Sequence, residues 1–123
     1  MVTWFFVFLG GGLGSVLRFG LSSVLQPTDR GLPMATLSVN LIGCFLLGFF
    51  LFSDWGLARM DASRTGIATG VLGGFTTFST FGVESIRLYE AGQMSTACVY
   101  IALSLVGGLA AAYLGIRLAT STL

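Results

Sequence analysis

Marking the charged residues along the chain leaves four long apolar stretches separated by short polar breaks. The first covers residues 3–25 and is interrupted only by Arg18; the second, residues 33–52, runs for 20 positions without a charge. At about 1.5 Å per helical residue, that length reaches across a hydrocarbon core of roughly 30 Å. Residues 64–89 and 94–116 form the third and fourth stretches. Gln26-Pro27-Thr28-Asp29-Arg30-Gly31 predicts a turn after the first. Pro33 suits the first turn of the next helix, where its missing N–H has no partner to lose. Residues 53–63 hold Asp54, Arg59 and Asp61 and predict an interfacial loop, with Trp55 as a headgroup anchor. Glu90-Ala91-Gly92-Gln93 predicts the last turn. The pattern therefore predicts a single all-α transmembrane domain over residues 1–123, with no linker and no second domain.

The third stretch departs from a plain hydrophobic helix. From Gly73 it reads Gly-Gly-Phe-Thr-Thr-Phe-Ser-Thr-Phe-Gly, and Phe75, Phe78 and Phe81 recur every third residue among Thr76, Thr77, Ser79 and Thr80. Adjacent glycines and consecutive β-branched threonines support a helix interior poorly. This predicts a break in the third span. At membrane depth, the backbone groups so freed must be met by protein, water or an ion.

Composition strengthens the membrane reading. Hydrophobic residues make up 54% of the 123, and charged residues only 9%, against roughly 25% in ordinary globular chains. The net charge of +1 gives no clustered basic footing for nucleic acid. No histidine is present, and the two cysteines, Cys44 and Cys98, both fall in apolar stretches. They read as small buried hydrophobes, not as a disulfide framework or a zinc or haem site. Residues 1–10 lack a positive n-region and read as the start of the first span.

Charge also bears on topology. With four spans, one side of the membrane receives Arg59, Arg64 and Arg117, and the other Arg30 and Arg87, with Arg18 reaching toward it. Orientation follows Lys/Arg asymmetry in short loops, and here the asymmetry is at most one charge. Such balance suits a chain that inserts both ways, and predicts an antiparallel homodimer.

Several polar side chains inside the spans are candidates for chemistry. The run from Gly10 to Gly14 mimics a nucleotide-binding glycine pattern, but no strand precedes it, and small residues in a membrane helix permit close helix approach. Arg18 must either pair, Glu84 being the carboxylate near a span, or snorkel to the interface. Thr36 and Asn40 share a helix face, and an amide at that depth either bonds a neighbouring helix or lines a polar route. Most of the 11 phenylalanines face lipid or core. Phe78 and Phe81 differ in their company of hydroxyls and glycines, and ring edges carry positive potential that an anion can meet. Tyr100 and Ser104 are again four apart in the last span.

Together these residues resemble the Fluc (CrcB-type) family of fluoride channels, over essentially the whole chain. The carriers are Gly10-Gly11-x-x-Gly14 with Arg18, then Thr36-Leu37-x-Val39-Asn40-x-x-Gly43, then Gly70-x-x-Gly73-Gly74-Phe75-Thr76-Thr77-Phe78-Ser79-Thr80-Phe81 with Glu84. The last motif is highly specific; Ser15, where the family often has Ala, is a small departure. The resemblance implies an antiparallel, dual-topology homodimer in the bacterial plasma (inner) membrane, with two passive, fluoride-selective pathways that export cytoplasmic fluoride and lower its toxicity. It implies that the edges of Phe78 and Phe81 meet the ion and that Asn40 donates to it. Tyr100 and Ser104, joined by Ser79, Thr80 and Thr36, would line the rest of the route. It also implies that the carbonyls of Gly73 and Thr76, from both subunits, hold a structural sodium ion at the dimer interface. Arg18 and Glu84 carry over as structural or vestibule residues.

Two other classes compete. A proton-coupled exporter of cationic drugs needs a membrane carboxylate, typically early in the chain, and the first span has none. A purely structural subunit would leave the cluster of Phe, Thr and Ser without a reason. No enzymatic constellation is present in this reading.

Overall fold

The computed structural model describes residues 1–25, 31–54 and 61–121. Residues 26–30 of the predicted turn at 26–31, Arg30 among them, the proposed anchor Trp55 and the cation Arg59 lie outside the described residues. Helix α1 spans Val2–Val24 and α2 spans Met34–Phe52, beginning one residue after Pro33. The following segment is a succession of pieces: α3 (Ala62–Thr65), a π-helical stretch π1 (Gly66–Leu72), α4 (Gly73–Phe75) and α5 (Phe78–Glu90). Helix α6, Met94–Ser121, closes the described chain and outlasts its predicted end at residue 116. Among the described residues, α1, α2 and α6 are long and apolar enough, by length and composition, to cross a membrane. Their surfaces agree with that: Trp4, Phe8, Phe19 and Leu109 are exposed large hydrophobics, which lipid tolerates and water does not.

Local chemistry sets the ends of the broken segment. Asp61 caps α3, its Oδ1 accepting from Arg64 N at 2.9 Å and from Ser63 Oγ at 2.7 Å. The Arg64 backbone N–H foremost, then the Ser63 hydroxyl, hold the Asp61 carboxyl below its ordinary range. In π1 the ladder widens, and Gly73 N donates to Ala68 O, five residues back. α5 ends in a Schellman motif. Gly92 takes φ +74, Gln93 N donates to Leu88 O at 2.9 Å, and Gly92 N donates to Tyr89 O at 3.0 Å.

Glycines decide how the helices meet. α1 packs along π1 and α4, and α2 along α6. A methyl on Gly74 would lie 2.6 Å from Gly11 O, and one on Gly70 would lie 2.9 Å from Val7 O. On the other pair, a methyl on Gly48 would lie 2.5 Å from Ala112 O. Backbone touches backbone at both seams, the packing that small residues allow where no water drives helices together. α5 leans on α6 and α2 through Phe81, Tyr100 and Leu37, the buried core cluster.

Candidate functional site: a clasped interruption between two clefts

Two residues of extended backbone separate α4 from α5. Thr76 has φ −75 and ψ 156, and Thr77 has φ −148 and ψ 109. Gly73 lies outside this extended pair, with helical angles of φ −66 and ψ −37. Thr76 keeps contact with the helix behind it, its N and Oγ1 both donating to Leu72 O at 3.1 Å. Room for its methyl group comes from α2: Thr76 Cγ2 occupies the space that any side chain at Gly43 would need.

Asn40 meets the polar groups exposed by the interruption. Thr77 N donates to Asn40 Oδ1 at 2.8 Å, and Asn40 Nδ2 donates to Thr77 O at 3.0 Å. One amide thus supplies the acceptor that the N–H of a buried residue has lost to the interruption, and adds a donor to the carbonyl with which Thr77 begins the next helix. One Nδ2 hydrogen remains after that exchange. The Thr77 side chain then starts α5: its Oγ1 accepts from Thr80 N at 3.3 Å and lies 2.9 Å from Thr80 Oγ1 and 3.4 Å from Ser79 Oγ.

Beyond the interruption the side chains divide between two clefts. One, of about 260 Å³, is lined by Asn40, Thr76, Phe78, Phe81, Ser104 and Cys44 among others. Its rings lie 5.5 Å apart at 47°. Phe81 is buried at 9% exposure, whereas Phe78 is 78% exposed. Ser104 Oγ is buried there without a hydrogen-bond partner. The other cleft, of about 470 Å³, has Arg18, Ser15 and Ser22 on one wall and Thr36, Thr77 and Thr80 opposite. It is the more polar of the two in side-chain type.

Of the two alternatives for Arg18, pairing with Glu84 is not the one seen, and Tyr100 and Ser104 do not share a destination. Glu84 takes its hydrogen bonds from Thr36 Oγ1 at 3.0 Å and from Tyr100 OH at 2.7 Å. Among the described residues the ion pair is Arg64 with Asp61, so Arg18 is not Glu84's partner. Tyr100 and Ser104, four apart on α6, go separate ways. Tyr100 is fully buried, with its hydroxyl on Glu84 and its ring 5.4 Å from that of Phe81. Ser104 alone turns to the Phe78–Phe81 cleft. Ser79 lies with Thr80, Glu84 and Arg87 on an outer face of α5. The Asn40–Thr77 clasp and the role of Gly43 are features that spacing alone does not announce.

The arrangement offers an anion amide and hydroxyl hydrogens together with ring edges, and offers a hard cation backbone oxygens. Along a continuous helix, Gly73 O would accept from Thr77 N and Thr76 O from Thr80 N. Those donors go instead to Asn40 Oδ1 and Thr77 Oγ1. Among the described residues no group of three or more His, Cys, Asp or Glu is placed to hold a metal.

The family described as "CrcB-like protein, Camphor Resistance (CrcB)" matches residues 5–116. A protein of Chlorobium phaeobacteroides named "Fluoride-specific ion channel FluC" is 46% identical over 110 residues, 87% of this chain and 84% of that one. Proteins of the same name from Stutzerimonas stutzeri and Thermus thermophilus are 44% and 43% identical over 119 residues. These cover 94% of each chain and, for the second, 96% of this chain and 95% of that one. The chain belongs to the CrcB-like protein family.

Proposed function

We propose that this chain is a fluoride-selective, passive ion channel, not an enzyme, that exports cytoplasmic fluoride across the bacterial inner membrane. The observation that carries the reading is the cleft in which Phe78, Phe81, a free Asn40 N–H and the unpartnered Ser104 hydroxyl converge. Fluoride is small and strongly hydrated. It gives up its water only where fixed donors of modest strength replace it, and it leaves again only if they do not hold too tightly. Ring edges and hydroxyls meet both conditions, because neither carries a formal charge. Relatives named as fluoride-specific ion channels support the choice of ion.

The driving force is electrical. Hydrogen fluoride crosses a membrane neutral from an acidic medium and ionises in a near-neutral cytoplasm, where the anion is trapped. A negative-inside potential then expels it at about 2.3 kcal/mol per charge per 100 mV. Thr36, Ser79, Thr80 and Tyr100 complete the route in this reading, the hydroxyls of Thr36 and Tyr100 being oriented by the Glu84 carboxyl to which both donate. Arg18 lends positive charge to the hydroxyl-lined cleft.

The reading extends to an antiparallel, dual-topology homodimer with two pathways, supported by the near-equal arginine count of the two sides. Sodium fits the freed carbonyls of Gly73 and Thr76, since hard cations take oxygen ligands. Bound there, it would supply a fixed charge joining the two subunits.

The test is efflux from liposomes loaded with fluoride or chloride and read by ion-selective electrodes. Fluoride is expected to leave and chloride to stay; equal loss of both refutes the proposal. C-terminal reporters should give signal on both faces of the membrane, and signal on one face only overturns the dual topology.

A further inference from the structure

Asn40 touches both halves of the proposed ion chemistry. Its Oδ1 accepts the Thr77 N–H at 2.8 Å, the hydrogen that a continuous helix would direct to Gly73 O. Its Nδ2 returns a bond to Thr77 O at 3.0 Å, and the two partners fix which end of the amide is which. Gly73 is still helical, so its carbonyl keeps the axial direction of a helix whose next donor has been drawn away. The remaining Nδ2 hydrogen belongs to the cleft that Asn40 lines with Phe78, Phe81 and Ser104.

We infer that Asn40 is the positioning residue of the cation site, and that it ties that site to the anion route. By holding the Thr77 N–H it leaves the Gly73 oxygen to a hard cation. With its second amide hydrogen it serves the anion. This rests on the proposed sodium site and deepens it, because one side chain then governs two ions of opposite sign. Asn40 acts on the cation from the outer shell, where loss of a partner costs roughly 10–100-fold in metal affinity.

Three substitutions separate the roles. Asn40→Asp keeps an oxygen for the Thr77 N–H but loses the donor and sets a carboxylate against the anion. Asn40→Leu removes the acceptor that holds the Thr77 N–H away from the helical direction of Gly73 O, and Asn40→Ala does the same while leaving a cavity. Purified protein is titrated with sodium at constant ionic strength, N-methylglucamine replacing it, and the thermal midpoint is followed. A ligand that binds the folded form alone raises that midpoint with concentration, which yields an apparent sodium affinity independent of flux. Fluoride efflux is measured in parallel.

The Asp variant is expected to bind sodium no more than about threefold more weakly than the parent, yet to lose at least about tenfold in fluoride efflux. The Leu and Ala variants are expected to lose roughly 10–100-fold in sodium affinity. A folded Leu or Ala variant with parental sodium affinity overturns the inference, as does an Asp variant without a sodium response. Should both apolar variants fail to fold, the Asp variant decides: sodium response kept with efflux lost supports the role. A parent that ignores sodium overturns the proposed cation site itself, whereas a responsive parent with unshifted variants overturns only the part given to Asn40.

Discussion

The glycine run in α1 yields a contrast that the sequence cannot express. Gly10, Gly11, Gly12 and Gly14 look interchangeable there, yet in the structure Gly14 and Gly12 have opposite surroundings. A methyl on Gly14 would lie 2.8 Å from Phe75 N and 3.0 Å from Val71 C, both backbone atoms that cannot rotate aside. At Gly12 nothing lies within 4 Å. Alanine in a helix gains about 0.8–1.0 kcal/mol over glycine by propensity. Overpacking a tight contact costs about 1–3 kcal/mol, and a rigid neighbour puts the cost toward the upper figure. Gly14→Ala should therefore lose about 1–2 kcal/mol net, while Gly12→Ala should be neutral or gain up to about 1 kcal/mol. The assay is reversible unfolding in mixed micelles, followed by far-ultraviolet circular dichroism. A Gly14→Ala protein as stable as the parent, with Gly12→Ala the damaged one, would refute the packing of α1 on π1 and α4.

Two further perturbations address the polar and aromatic groups. Tyr100→Phe removes one of the two donors to Glu84 and should cost about 0.6 kcal/mol, the average for hydrogen bonds between membrane helices, and at most about 1.7. Thr36→Val should cost a similar amount, and the double variant should depart from the sum because both act on one carboxyl; strict additivity in the same unfolding assay would deny that shared partner. Phe78→Ile and Phe81→Ile should each abolish fluoride efflux from liposomes. Phe81→Ile should also lower the unfolding midpoint more, its ring being 9% exposed against 78% for Phe78; parental flux in both variants would take the rings out of the route.

Hydrophobic pattern was enough to place α1, α2 and α6, because long uncharged runs have few alternatives. Turn chemistry was legible too: glycine at residue 92 fills a left-handed position that other residues resist. What pattern could not supply were partners. The sequence leaves Asn40 to bond a neighbouring helix or to face a polar route; its amide engages the backbone of Thr77 and also lines the cleft. Arg18 and Glu84 pair on charge alone, yet two hydroxyls reach Glu84 from α2 and α6. Tyr100 and Ser104 share a spacing but not a destination, since a phenol reaches farther than a hydroxymethyl group. The widened ladder of π1 has no local signature, for Gly66 and Gly70 are as compatible with an α-helix. Its surroundings are long-range: a methyl on Gly66 would press on Phe6, and one on Gly70 would press on Val7 and Gly10.

The interruption also explains why the polar groups of this site need no formal charge of their own. Breaking a helix in lipid frees donors and acceptors in equal number, and any left unmet costs several kcal/mol. Asn40 accepts the freed N–H of Thr77 and adds a donor to its carbonyl, and the Thr77 hydroxyl takes the N–H of Thr80. What remains is sorted by sign. The Asn40 hydrogen and the Ser104 hydroxyl are left on the side of the rings, and the Gly73 and Thr76 oxygens are left by the diverted N–H groups. In the proposed channel, the leftover donors would attract an anion weakly enough to release it, and the leftover carbonyls would hold the proposed sodium ion in place. A cationic residue in place of the leftover donors would hold the anion more tightly and slow its release in the proposed channel. The proposed channel thus depends on an economy of dipoles, in which one amide decides which groups are spent on the fold and which are kept for ions.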